Sequence, residues 1–363
     1  MPPATCHNTR LTSDERPPDC PGDCPAPEFP IALPPDLLKL AFNRVNPGPA
    51  GLAAWQDALR AKAATLMNLD LAAVKAWRPD WRVSADDAAE GVRRRELRYA
   101  SLDGQQMRAW LLTPADEGPW PAVLICHGHD LGADSAAGLV ASTDGQQALG
   151  LLLARAGFAV LAPDLVSFGQ RQVAAPPDPV GRRSHEIFAN WAMELGRPIV
   201  MLHLTELLQS LAVLRAQAGV DSRRIGAAGL SQGGRLACLV AAYDAGIAAC
   251  LVASGITSLM AADRGNQHLH DTIPGLLAWA DYPDLAGLIA PRPLMLSWGL
   301  AEAYPYCLET REHLTYNYLK PIYAAAGAAD ALEEVTHPAG HRYDQASALD
   351  FFARRLGQGG SGA

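Results

Sequence analysis

The feature that most narrows what this chain can fold into is the pentapeptide Gly229-Leu230-Ser231-Gln232-Gly233. It follows a short apolar run, Arg224-Ile225-Gly226-Ala227-Ala228. It precedes a small-residue run, Gly234-Arg235-Leu236-Ala237-Cys238-Leu239-Val240-Ala241-Ala242. The first run predicts a strand and the second a helix. A serine on so tight a strand-to-helix turn is held in strained backbone, and glycines on either side let strand and helix approach where a Cβ would clash. Its hydroxyl is then exposed at a helix N-terminus, where the macrodipole favours developing negative charge. The five residues alone recur by chance about once in eight chains of this length. Their setting, and the partners further along, are what give them meaning.

The chain has 363 residues, 49% of them hydrophobic, enough for a large core in one enlarged domain or one domain with a small accessory piece. Thirty Lys and Arg against 38 Asp and Glu leave a formal charge of −8. With no long basic run, nucleic acid is not expected as a partner, and Arg93-Arg94-Arg95 reads as flanking a strand. No apolar run reaches the length of a transmembrane helix, so no membrane partner is expected. Met1-Pro2-Pro3-Ala4-Thr5-Cys6-His7 has no apolar stretch of a secretory signal. Of seven cysteines, Cys126, Cys238 and Cys250 sit in apolar runs and read as buried thiols. Cys20 and Cys24 lack a usual zinc spacing and have no second pair. Free thiols in a reducing cytoplasm are the expectation.

Residues 1–34 are rich in Pro, Asp and Cys without periodicity and read as disordered or extended. Residues 35–91 read as a helical N-terminal extension, with Leu52, Trp55, Leu59, Ala63 and Leu66 at helical spacing. It is expected either to cap the site or to pack on the sheet edge. From about residue 92 two strands joined at Asp103-Gly104 predict a hairpin, and strand-like and helix-like segments then alternate to residue 357. Ala122-Val123-Leu124-Ile125-Cys126 is continuously apolar, as in a buried parallel strand. The pattern predicts an α/β fold with a mostly parallel central sheet and helices on both faces. Segments near 164–197 and 255–288 break the alternation after strand C-termini, the edge where ligands bind in such sheets, and read as insertions shaping a pocket. Residues 358–363 read as a flexible tail.

A serine nucleophile at neutral pH needs a base, and the base an orienting carboxylate. On a sheet with such an elbow the chain order is serine, acid, histidine. His313, His337 and His341 lie far enough along. His341, in Pro338-Ala339-Gly340-His341-Arg342 between the last strand and the terminal helix, stands where the base should, while His337 ends the strand itself. The strand 293–298 runs into Gly299-Leu300-Ala301-Glu302, which puts Glu302 at the same sheet edge. Asp281 and Asp284 are rivals in an insertion; Asp330, Glu333 and Glu334 read as strand entry and exposed strand face. The oxyanion needs two fixed donors. The backbone N–H of Gln232 is one; that of His129, in His127-Gly128-His129-Asp130, is the expected second. No third ligand accompanies the His127 and His129 imidazoles, so no metal is expected.

These stretches resemble the α/β-hydrolase superfamily. The resemblance rests on His127-Gly128-His129, on Pro163-Asp164 with Phe168-Gly169-Gln170-Arg171, and on Asp221-Ser222-Arg223-Arg224-Ile225-Gly226 before the elbow. Ala290-Pro291-Arg292-Pro293-Leu294-Met295, Gly299-Leu300-Ala301-Glu302 and Gly340-His341 complete it. Within the superfamily the chain is most similar to the dienelactone hydrolase and acetyl xylan esterase-like branch, over about residues 90–357. The resemblance implies the α/β-hydrolase fold, a triad of Ser231, His341 and Glu302, and no cofactor. Glu302 takes a position usually held by Asp, and the elbow carries serine where true dienelactone hydrolases carry cysteine.

The expected function is that of a serine hydrolase cleaving a small-molecule carboxylic ester through an acyl-enzyme. A peptidase or amidase of the prolyl-oligopeptidase type, a cofactor-free C–C bond hydrolase and a non-catalytic binding relative stay open. Phe168, Arg171, Trp191, His268 and Tyr304 are candidate substrate contacts, although each also fits a packing role. A homodimer is possible.

Overall fold

A computed structural model describes residues 36–89, 91–140, 148–173, 181–259, 269–302 and 315–357. Nine strands form one sheet: β1 (Trp81–Ala89), β2 (Val92–Ala100), β3 (Gln106–Pro114), β4 (Trp120–Cys126), β5 (Ala159–Pro163), β6 (Val220–Leu230), β7 (Ile247–Ala253), β8 (Leu294–Gly299) and β9 (Leu332–His337). Their order is β1-β2-β3-β5-β4-β6-β7-β8-β9. The first three strands and the β3–β5 pairing are antiparallel, and every later pairing is parallel. This is the expected α/β architecture, and it carries all strand C-termini from β4 onward to one edge.

The described helices are α1 (Phe42–Val45), α2 (Gly48–Met67), α3 (Leu71–Ala76), α4 (Ala133–Ala136), α5 (Leu149–Arg155), α6 (Arg182–Glu194), α7 (Ile199–Arg215), α8 (Gln232–Tyr243), α9 (Tyr282–Gly287), α10 (Asn317–Ala325) and α11 (Gln345–Leu356). Alternate strand residues feed two cores, because successive side chains point to opposite faces. Ala122, Leu124 and Cys126 of β4 join the cluster under α2, α7, α8, α9 and α10. Val123 and Ile125 join the cluster under α5 and α11. β6 is built of small residues at its centre because helices sit close to it: a Cβ on Gly226 would come within 2.6 Å of the Phe352 ring on α11.

The N-terminal extension packs on the helical layer. Trp55 Nε1 donates to the Leu40 carbonyl at 2.7 Å, and Gln56 Nε2 donates to those of Gly287 and Ala290. The backbone N–H groups of Leu38, Lys39 and Leu40 donate to the carbonyls of Leu277, Ala278 and Trp279. The expectation of helix down to residue 91 is corrected at β1, which extends the sheet edge instead. β1 carries no apolar alternation to announce it, since its residues are mostly exposed. It is held by its register with β2 and by paired hydrogen bonds from Arg93 to Asp86 and from Arg94 to Asp87. Charges on an edge strand also discourage pairing with a second chain.

Asp284 pins this extension to the body. Its buried carboxylate accepts from the N–H groups of Phe42 and Asp281, each at 2.8 Å, and from the Tyr318 hydroxyl at 2.5 Å. Burial pushes its pKa up to about 6 from an ordinary 3.8. A raised carboxyl pKa contributes stability in acid that is lost as pH rises through the folded value. Asp284→Asn cannot titrate. Urea unfolding at a series of pH values should therefore show wild type losing about 3 kcal/mol relative to that variant between about pH 4 and 7.

Candidate active site

The chain reverses from β6 into α8 through Ser231, which has φ 61° and ψ −126°. Only a tight clasp holds a non-glycine residue there. A Cβ on Gly229 would overlap the Gly233 carbonyl, and one on Gly233 would overlap the Cys126 carbonyl at the end of β4. The Ser231 N–H donates to the Ala253 carbonyl at 2.8 Å, tying the turn to the end of β7. The serine thus stands at the N-cap of a twelve-residue helix and at the sheet edge where β4, β6 and β7 end.

Glu302 and His341 meet at this edge. The Glu302 side chain is only 2% exposed, and its Oε2 lies 3.4 Å from His341 Nδ1. Its Oε1 accepts from the Ser254 hydroxyl and from the Gly299 N–H at 3.1 Å. Both oxygens are therefore spoken for, and the carboxylate has one orientation. The loops that carry the pair are themselves joined. Leu300 N–H donates to the His337 carbonyl at 2.7 Å and Ala301 N–H to that of Ala339 at 3.1 Å. Gly299 permits this, because a Cβ there would overlap the Ala339 and Gly340 carbonyls. The imidazole of His341 remains partly exposed, at 30%.

The loop after β4 is braced from below. Buried His127 accepts from the Leu165 N–H on Nε2 at 3.1 Å, which leaves its proton on Nδ1, 2.9 Å from the Gly128 carbonyl. Burial lowers its pKa, so the ring stays neutral. His129 is also buried, and its Nε2 lies 3.3 Å from Nδ1 of His185 on α6. Among the described residues no three His, Cys, Asp or Glu side chains are grouped to hold a metal ion.

The expected substrate contacts fare differently. Phe168 is fully buried, with its ring packed against those of His127, His129, His185 and His203; it is core, not pocket lining. Arg171 is committed to a two-pronged ion pair with Glu206, at 2.7 and 2.8 Å, and cannot receive a substrate carboxylate without breaking it. Trp191 is on α6, 57% exposed, with Phe188 as its ring neighbour. His268 and Tyr304 lie outside the described residues. Two residues escaped the sequence reading. Ser254 is betrayed only by its place directly after β7, and His185 sits in an amphipathic helix with no signal of its own.

A strained serine between a parallel strand and a helix, with a histidine–carboxylate pair at the same sheet edge, is the arrangement of the α/β-hydrolase fold. Residues 107–283, just under half of the chain, match the model of the dienelactone hydrolase family. The hydrolase YtaP of Bacillus subtilis, so named only provisionally, is 28% identical over 237 residues, covering 62% of this chain and 74% of its own. A provisionally assigned acetyl xylan esterase from Bacteroides fragilis superposes with a TM-score of 0.68 at 18% identity, over 87% of this chain and 81% of that one. A glucuronoyl esterase from Teredinibacter turnerae gives a TM-score of 0.59 at 15% identity, covering 85% of each chain. At such identities the likeness is one of fold.

The clasp makes a contrast that thermal unfolding can check. Gly157 has a positive φ, but a Cβ there would meet nothing within 4 Å; Gly233 is helical, but a Cβ there would strike main chain. Gly157→Ala should cost about 1 kcal/mol, from backbone strain alone. Gly233→Ala must instead displace main chain at the end of β4 and should cost about 3 kcal/mol or more.

Proposed function

We propose that this enzyme hydrolyses carboxylic esters with Ser231 as nucleophile, His341 as general base and Glu302 as the group that orients it. The observation that carries this reading is the Glu302–His341 pair, doubly anchored at the sheet edge that ends in the strained serine. Ser231 Oγ attacks the ester carbonyl carbon while His341 Nε2 takes its proton. Glu302 accepts from Nδ1 and stabilises the imidazolium that forms. The backbone N–H groups of Gln232 and His129 receive the oxyanion. As the tetrahedral intermediate collapses, the C–O bond to the alcohol breaks and His341 returns the proton to the departing oxygen. Water, deprotonated by the same imidazole, then attacks the acyl-serine; the C–Oγ bond breaks, His341 returns the proton to Ser231 Oγ, and the carboxylic acid is released.

The exchange of Asp for Glu is accommodated by geometry. The longer side chain folds back within its own turn, where the Gly299 N–H holds Oε1 while Oε2 faces the imidazole. Neighbours of this fold carry the names acetyl xylan esterase, provisionally, and glucuronoyl esterase, which supports a small or carbohydrate-borne ester as substrate.

Turnover of p-nitrophenyl acetate and labelling by a fluorophosphonate test this directly. Ser231→Ala should abolish labelling and lower kcat by about 10⁴-fold or more, with an unchanged unfolding temperature. Glu302→Gln should keep the fold and lower kcat by roughly 10²- to 10⁴-fold. Turnover retained in Ser231→Ala would overturn the assignment.

A further inference from the structure

Helix α6 lies between β5 and α7, in a segment outside the strand–helix alternation that builds the sheet. Its first turn carries His185, which is fully buried. The ring stands between the first turn of α8 and the loop after β4. On one side His185 Nε2 lies 3.2 Å from Nε2 of Gln232, the residue after Ser231. On the other, Nδ1 lies 3.3 Å from Nε2 of His129, on the loop after β4. An amide nitrogen only donates. Gln232 Nε2–H therefore donates to His185 Nε2, the proton of the neutral ring sits on Nδ1, and that N–H donates to His129 Nε2.

The ring is also held in place by packing. Phe168 and His203 lie against it, at centroid distances of 4.6 and 5.1 Å. The entry to α6 is shaped to admit Phe168: Gly181 has φ 67°, and a Cβ there would overlap the Phe168 ring. His185 thus joins, through side chains alone, two residues that follow different strands of the sheet, His129 after β4 and Gln232 after β6.

We propose that His185 is a positioning residue for the oxyanion hole, a strut that sets the distance between the His129 and Gln232 N–H groups. The proposal rests on the serine-esterase reading above. Two donors must each lie about 2.7–3.1 Å from one oxygen, and a misplacement on the order of 1 Å forfeits much of their effect. Main-chain contact of Gly233 with the end of β4 sets the coarse separation of the loops. The two hydrogen bonds of His185 set the fine one, between three side chains that are all buried.

Steady-state kinetics of the full-length enzyme on p-nitrophenyl acetate, with inhibition by phenylboronic acid as a tetrahedral mimic, test the strut. His185→Phe keeps the ring volume and the stacking on Phe168 but removes both hydrogen bonds. Its kcat should fall roughly 10- to 100-fold with KM nearly unchanged, and boronic acid affinity should weaken by a similar factor. Gln232→Met removes the opposite end of the strut and leaves the backbone N–H. It should show the same split, and the double variant should be no worse than either single one. Folded His185→Phe with undiminished kcat and boronic acid affinity overturns the proposal, as do losses that multiply in the double variant. Should His185→Phe fail to fold, Gln232→Met decides alone, and full kcat there overturns it. Turnover or labelling that persists in Ser231→Ala points instead to failure of the serine reading, whatever the His185 variants do.

Discussion

At the end of β6 main chain meets main chain with no side chain between: Gly229 lies against the Gly233 carbonyl, and Gly233 against the Cys126 carbonyl. This contact forces Ser231 into a region of φ and ψ that side chains avoid. It also brings the first turn of α8 against the loop after β4. Ser231, the N-terminus of α8 and the loop after β4 thus converge because two residues have no Cβ. The strain at Ser231 is tolerated because hydrogen bonds on either side, from Ser231 N–H to Ala253 O and from Arg235 N–H to Ser231 O, leave the turn nowhere to relax.

Around that contact the loops are held by buried polar groups. Asp164, wholly excluded from solvent, accepts from the Ala133 N–H at 2.7 Å and from Arg108 at 3.1 Å. Arg108 in turn reaches Glu96 on β2 and Asp134 on α4. Gly132 and Gly169 make room for the Asp164 carboxylate, which a Cβ on either would overlap. A buried ion network of this kind adds little net stability, because desolvation offsets attraction, but removing one member strands the rest. Its value here is placement: it fixes the far ends of the two loops that carry His129 and Phe168.

The neighbouring folds named as esterases differ from this chain at more than four positions in five, yet share its sheet. What such sheets hold in common is an edge at which several strand C-termini present loops to one volume. The carboxylate beside His341 shows how such an edge can hold a longer side chain. The turn of Glu302 folds back, and Gly299 supplies both the N–H that anchors it and the clearance beside the His341 loop.

Much of this was legible in the chain itself. The small-residue centre of β6, the glycines about Ser231, the alternation after residue 92 and the order of Ser231, Glu302 and His341 all follow from local chemistry and spacing. They depend on neighbours within a few residues or on a chain order that the sheet topology preserves. β1 was not legible, because an edge strand exposed on both faces needs no apolar pattern and is stabilised by its partner. Nor were the true surroundings of Phe168 and Arg171. An aromatic or a guanidinium in an insertion reads alike whether it faces a pocket or the core, and only packing on four histidines and pairing with Glu206 decided the matter. Sequence alone determined the strand-to-helix turn at Ser231 and the order in which Ser231, Glu302 and His341 follow along the chain. Tertiary structure alone decided which side chains touch across the sheet edge, because contacts such as Ser254 with Glu302 or His185 with Gln232 join residues about fifty positions apart, where spacing carries no information.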